Sequence, residues 1–388
     1  MAALAAKLKN RKRSDAKTAR ARSPQGQPDW WLLVAVLLLL AVGIIMVFSS
    51  SQYFAQYEPY NDTYYFLKSQ LKNAAVGAVA MFLAYKVNYR LFNRASYAAF
   101  VVLLVLLLFM VVSTRIETIG GAQRWLTVFG FSFQPSELAK IIMPMALARW
   151  ATANQNKLSD FKQGFLPAMS VIALVAGLIF LERDLSSAVV VAVTGVIVIF
   201  CAGARFAHFL LVGAAGVAAV AAAIIFEPSR MDRIRAWLDP WAFAQDEGWQ
   251  TVQSMMAIGS GGLTGVGLGS GGSKWYYLPE RHTDFIFSVL SEELGFIGGL
   301  VVILIIGFIV WRGVMVAIKA PTTYTTLLSI GLIGSLGVQS IVNLGVCTGL
   351  LPVTGVTLPF MSYGGTSLVV SMTMIGMLLN ISKNSNRT

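Results

Sequence analysis

The segment Leu278–Gly295 reads Leu-Pro-Glu-Arg-His-Thr-Asp-Phe-Ile-Phe-Ser-Val-Leu-Ser-Glu-Glu-Leu-Gly and concentrates side chains that can move protons. Glu280, Arg281, His282 and Asp284 precede an apolar run, and Glu292 and Glu293 fall inside it. On a regular helix rising about 1.5 Å per residue, Glu292 would stand roughly 12 Å from Asp284. Carboxylates at such depths in an apolar helix are costly and mark a use. Asp284 itself supports two readings. Thr283-Asp284 stands where an N-cap belongs, just before Phe285-Ile286-Phe287. A cap would hold the carboxylate charged and make it a weaker base. Burial in a polar cavity would raise its proton affinity and suit a general base.

A second group lies near residue 135. Gly120-Gly121-Ala122-Gln123-Arg124-Trp125-Leu126 leads into Phe133-Gln134-Pro135-Ser136-Glu137-Leu138-Ala139-Lys140. Pro135 suits the first turn of a helix, where its missing N–H costs nothing. Glu137 and Lys140, three apart, share one face of that helix. Lys140 is then either half of a buried ion pair that fixes packing or a cation for phosphate or pyrophosphate, with Glu137 holding it. Arg124 has the planar fork suited to a bidentate phosphate contact. Glu182-Arg183-Asp184 is either a plain external hairpin or a polar wall of a cavity.

Near the C-terminus, Leu351 through Ser367 is uncharged and rich in Pro and Gly, which suggests a re-entrant or broken segment lining protein or water; packing through small residues is the alternative. Gln339 and Asn343, four apart, face the same interior as this segment. His282, Glu280, Gln339, Asn343, Ser362 and Tyr363 are therefore candidate cavity-lining residues. Eight glycines fall between Gly259 and Gly272. They form either a phosphate cradle or tight turns laid against the membrane helices. Gly272-Ser273-Lys274 lacks the Gly-Lys-Ser/Thr step of a nucleotide-binding loop.

These residues must be positioned by membrane helices. The chain is 56% hydrophobic and 12% charged, with mean hydropathy +0.68, and several apolar runs reach the length that spans a bilayer. The runs do not alternate as barrel strands would. The fold class is therefore all-α, polytopic, with about ten transmembrane helices near 30–50, 71–88, 96–113, 135–151, 164–181, 186–203, 207–226, 285–311, 323–346 and 361–381. A large extracytoplasmic loop, 227–284, separates helices 7 and 8. Residues 1–28 form a basic, disordered cytoplasmic tail, 29–382 a single membrane domain, and 383–388 a second cytoplasmic tail. With both termini inside, 19 of the 30 Lys and Arg residues lie on the cytoplasmic side, while 227–284 carries seven acids and five bases. That bias explains the net charge of +12 without nucleic acid. The sequence has no zinc motif: Cys201, Cys347, His208 and His282 are scattered, with no HExxH or paired CxxC.

Taken together, these blocks resemble the SEDS family, the FtsW/RodA/SpoVE proteins of bacterial cell-wall synthesis, over nearly the whole chain from Asp29 to Ile381. The most specific matches are Gln134-Pro135-Ser136-Glu137, Leu278-Pro279-Glu280 with His282-Thr283-Asp284-Phe285-Ile286-Phe287, Glu292-Glu293-Leu294-Gly295, and Pro352 through Gly365. One departure is Glu182-Arg183-Asp184-Leu185-Ser186-Ser187, where relatives show Pro before the aspartate and Gly after it. Tyr65-Phe66-Leu67-Lys68 and Trp275-Tyr276-Tyr277-Leu278 resemble the division branch (FtsW/SpoVE) more than the elongation branch (RodA).

The resemblance implies a peptidoglycan glycosyltransferase that polymerises lipid II at the outer face of the bacterial cytoplasmic membrane. It places the essential aspartate at Asp284, as general base of an inverting displacement. Arg124, Glu137 and Lys140 would line the central cavity and hold the pyrophosphate, with a divalent cation (Mg or Mn) as a candidate cofactor and no nucleotide. It also implies a class B penicillin-binding protein as partner within a division or elongation complex. The competing readings are a lipid II flippase and a non-catalytic scaffold for the transpeptidase.

Overall fold

The computed structural model describes residues 26–57, 60–113, 125–128, 131–225, 228–272 and 278–385. Arg124, Lys274, Trp275 and all but the last residues of the basic tail lie outside these ranges. Among the described residues, twelve α-helices follow in order: α1 Trp30–Ala55, α2 Tyr65–Lys86, α3 Tyr89–Val112, α4 Pro135–Ala153, α5 Leu166–Leu181, α6 Leu185–Cys201, α7 Phe206–Ile225, α8 Pro228–Leu238, α9 Trp249–Ser260, α10 Ile286–Ile318, α11 Thr323–Cys347 and α12 Gly365–Lys383. Among the described residues, the departure from an all-helical chain is a short antiparallel ribbon, β1 Leu126–Val128 against β2 Phe131–Phe133, with Thr127 opposite Ser132. It leads directly into α4.

Among the described residues, six helical stretches are long and apolar enough to cross a membrane: α1, α3, Phe161–Leu181, α10, α11 and α12. The protein is thus an integral membrane protein. α3 and α10 sit outermost. Only 22% of the apolar window of α3 or α10 is buried inside the protein, against 61% for α11 and 72% for α12. The central helices pack against protein instead of lipid, so they can carry polar residues. α4 illustrates this. Glu137, Lys140 and Ser136 are all buried on it, and these same polar residues lower its hydropathy.

α11 is the hub, packed against α4, α6, α10 and α12. It starts with a capping box: Thr322 accepts from Thr325 N, and the Thr325 hydroxyl accepts from Thr322 N. α12 packs along α2. One close approach seats the segment before α12: a side chain on Gly43 of α1 would lie 2.5 Å from the Phe360 carbonyl oxygen.

Three features differ from the sequence expectation. The last helix was expected from residue 361 but begins at Gly365, because Met361 N and Ser362 N both donate to Leu358 O and close a turn first. The helix expected over 285–311 runs to Ile318 and is broken at Gly295, where φ is 68° and ψ −170°. The segment 227–284 is not an extended loop. It holds α8 and α9, and α9 is tied down: the Ser254 hydroxyl meets Ser288 Oγ and Cys347 O, each at 2.6 Å.

Candidate active site

Asp284 sits at the end of a compressed turn. Thr283, Asp284 and Phe285 all donate their N–H to Glu280 O at 3.1–3.2 Å. Glu280 is itself left-handed, with φ 50°, which is uncommon outside glycine. α10 begins one residue later than an Asp284 cap requires. Its N-cap is Phe285, and no side chain caps it. The N-cap position expected at Asp284 therefore falls on Phe285, and Asp284 is half-buried.

The turn is held from three sides. The Asp284 carbonyl accepts from Asn343 Nδ2 at 2.7 Å and from Cys347 Sγ at 3.4 Å, both on α11. The His282 carbonyl accepts from Tyr363 N at 2.8 Å. Buried Arg281 donates Nε to Ser50 O at 3.1 Å on α1 and lies over the Phe54 ring. The His282 ring packs among Phe66, Tyr363 and Phe54, with centroids 4.5, 5.6 and 6.1 Å away. Burial, reinforced by the Arg281 charge, pushes its pKa down to about 4, so it is neutral near pH 7. Tyr363 shares its hydroxyl with Ser69 Oγ at 3.0 Å, and burial raises its pKa.

A second cluster joins the starts of α4 and α6 to the middle of α11. Lys140 Nζ is 2.6 Å from Glu137 Oε1 and 2.9 Å from Gln339 Oε1, in a side chain almost wholly enclosed. Two of its three N–H directions are thereby used. Gln339 passes its own Nε2 to Thr357 O at 2.9 Å. Asp184 caps α6 through Ser187 N and accepts from Gln134 Nε2 at 2.8 Å and Ser136 Oγ at 3.4 Å, beside Glu137 in the chain. The Glu182-Arg183-Asp184 turn is packed against protein and not a freely exposed hairpin. Glu182 and Asp184 are buried, and Arg183 turns outward with φ 60°.

α11 links the two clusters. Gln339 and Asn343 lie one turn apart, about 6 Å along the axis. They grip successive carbonyls, Thr357 O and Val356 O, of the segment before α12.

Other expected site residues are placed differently. Ser362 is buried, and its hydroxyl accepts from Leu358 N at 2.7 Å, so it closes a turn. Glu280 is exposed, with its carboxylate accepting from Thr283 Oγ1. A cavity of about 400 Å³ lies beside Glu292, bounded by Trp249, Gln253, Ser260 and Gly272. Lys140 is buried within its own ion pair.

Sequence reasoning did not single out Glu293's partner or the joint behind it. Ser49 Oγ lies 2.7 Å from both Glu293 oxygens, and Glu292 Oε1 accepts from Gly272 N at 2.7 Å. The glycine-rich segment then docks on the break in α10. Val266 and Gly267 donate to the carbonyls of Glu292 and Glu293, while Phe296 and Ile297 donate to those of Gly262 and Leu263. The tight-turn reading of these glycines fits, and no cradle is needed.

The family model described as cell cycle protein, spanning FtsW, RodA and SpoVE, matches residues 30–387. The chain belongs to the FtsW/RodA/SpoVE family. Among curated FtsW/RodA/SpoVE relatives, the stage V sporulation protein E of Bacillus subtilis (strain 168) is 40% identical over 362 residues, covering 92% of this chain and 98% of that one. The probable peptidoglycan glycosyltransferase FtsW of Geobacter sp. (strain M18) is 38% identical over 354 residues, 91% and 96% of the two chains. Of solved structures, one described as coordinating polymerization and crosslinking by a peptidoglycan synthase complex superposes with TM-score 0.77 at 29% identity, over 92% of this chain and 98% of that one. The rod shape determining protein RodA of Thermus thermophilus gives 0.69 at 28%, over 93% and 98%. The sequence relatives thus carry FtsW and SpoVE names, in line with the branch expected from Tyr65–Lys68 and Trp275–Leu278.

Proposed function

We propose that this FtsW/RodA/SpoVE protein is a peptidoglycan glycosyltransferase of the division type, which polymerises lipid II at the outer face of the bacterial cytoplasmic membrane. The observation that carries the reading is end-to-end similarity, near 38–40% identity, to relatives of which several are named peptidoglycan glycosyltransferase. The local geometry supports it. Asp284 is half-buried and tied by its backbone to the helix that also holds the buried cation Lys140.

In the proposed reaction, the growing chain is held through its lipid-linked pyrophosphate. The 4-hydroxyl of the incoming sugar attacks the anomeric carbon, and Asp284 takes the hydroxyl proton. The bond from the anomeric carbon to the pyrophosphate oxygen breaks with inversion. Lys140, released from Glu137 towards the leaving oxygen, and Arg124 would stabilise the departing diphosphate. A divalent cation would assist that departure when bound. Among the described residues no group of three or more acidic, His or Cys side chains converges to hold one, so no step here runs through it.

The same reading sets ten membrane crossings, formed by α1 to α7 and α10 to α12, with both termini cytoplasmic and 227–284 on the outer side. The outer face then carries Asp284, the Glu182–Asp184 turn and the segment before α12. A class B penicillin-binding protein is the proposed partner, consistent with a neighbour described as part of a peptidoglycan synthase complex.

The test is purified protein in vesicles with labelled lipid II. Glycan polymer is expected. Lipid translocation without polymer would overturn the enzyme reading.

A further inference from the structure

Asn343 stands on α11 at 1% exposure. Its Nδ2 donates to Asp284 O and Val356 O, both at 2.7 Å. A primary amide has two N–H donors on one nitrogen and no charge, which suits two carbonyls approaching from different parts of the chain. One carbonyl ends the turn before α10, and the other lies in the irregular segment before α12. Neither lies within a helix. One turn away, Gln339 repeats the device, with Nε2 on Thr357 O and Oε1 receiving Lys140 Nζ at 2.9 Å.

α11 therefore acts as a ruler with two marks about 6 Å apart. One mark holds the backbone of Asp284 and the other holds the ammonium of Lys140. We infer that Asn343 is a positioning residue: it fixes the Asp284 carbonyl, and so sets where the Asp284 carboxylate stands relative to the Lys140 cation. The inference rests on the reading of Asp284 as base. Its physical basis is that a displacement of about 1 Å in a reacting group costs roughly 100-fold in rate.

The test uses the full chain in vesicles with labelled lipid II, comparing Asn343→Ala, Asn343→Asp and Asp284→Asn with the wild type. Size-exclusion elution and thermal melting report folding. Asn343→Ala is expected to lower kcat about 100-fold. KM should stay within about threefold, because the buried amide nitrogen is taken up by two backbone carbonyls. Asn343→Asp is isosteric but acceptor-only when ionised, so it should be at least as impaired at neutral pH. Its activity relative to wild type should rise on acidification, as its protonated carboxyl regains an O–H donor. If Asn343→Ala does not fold, the pH dependence of Asn343→Asp decides alone.

Wild-type kcat in Asn343→Ala, a loss confined to KM, or a pH-independent ratio for Asn343→Asp would overturn the inference. Activity in Asp284→Asn would instead overturn the base assignment. An inactive Asp284→Asn beside fully active Asn343 variants would remove only the positioning claim.

Discussion

The amide nitrogen of Gly265 lies 2.3 Å from where a side chain on Gly295 would begin, and a side chain on Gly265 would begin 2.1 Å from the carbonyl oxygen of Glu293. The glycine-rich segment and the break in α10 are thus two halves of one joint. Both glycines have positive φ, 83° and 68°, which an L side chain adopts only at a cost of about 1–3 kcal/mol. Four backbone bonds cross the joint, so the groups that the break frees from the helix are satisfied.

Alanine at either position should therefore destabilise the protein by more than that backbone cost, since the contacted atoms are main chain and cannot swing away. Gly177→Ala is the control. It lies inside α5 with nothing within 4 Å of its would-be Cβ. There alanine should be neutral or stabilising by about 0.5–1 kcal/mol. Thermal melting in detergent checks the contrast, and equal melting temperatures for Gly295→Ala and Gly177→Ala would refute it.

The Glu137–Lys140 pair separates structure from chemistry. Removing one partner leaves a buried charge, so Glu137→Ala should cost about 3–5 kcal/mol. Replacing both with apolar residues, Glu137→Leu with Lys140→Met, should recover most of that stability. Polymer synthesis should stay lost in the double variant if Lys140 serves the leaving diphosphate. A stable double variant with full activity would make the pair a packing device only.

Asp184 offers a smaller effect with a clear cause. It caps α6 and receives Gln134 and Ser136. Asp184→Ala should lose about 1–2 kcal/mol from the cap alone. Asp184→Asn keeps an acceptor oxygen and should lose less. Melting curves for the two variants check the order.

His282 predicts a pH dependence of stability. Its folded pKa is depressed to about 4 from 6.5, first by burial and then by Arg281. Between these values the unfolded chain binds the proton and the folded chain does not. Stability from this residue is therefore full above about pH 6.5 and declines as pH falls towards 4. His282→Phe should flatten that part of the stability curve. An acid limb of activity that survives in His282→Gln would also exclude the imidazole as its source.

The parts of this architecture legible in sequence are those set by local spacing. Glu137 and Lys140 three apart, and Gln339 and Asn343 four apart, do share helix faces, and Pro135 does open α4. The contacts that were not legible are long-range. Nothing near Asp184 in the chain announces Gln134, fifty residues earlier, and nothing near Glu293 announces Ser49. Gly295 sits at the end of Glu-Glu-Leu-Gly, ahead of an apolar run, where a single glycine is compatible with an unbroken helix. Only its docking partner reveals the break. Asp284 looked like a cap because Thr-Asp before an apolar run usually is one. The turn around Glu280 O shifts the helix start by one residue, so the N-cap position falls on Phe285.

The central claim is that Asp284 takes the proton from the attacking sugar hydroxyl. The most direct measurement is the rate of glycan polymer formation from labelled lipid II by vesicle-embedded Asp284→Asn, with substrate binding measured on the same preparation. Asparagine keeps the size and the backbone bond to Asn343 but cannot accept the proton. The rate should fall by about 10²–10⁴-fold with lipid II binding retained. Polymer made at the wild-type rate would contradict the assignment.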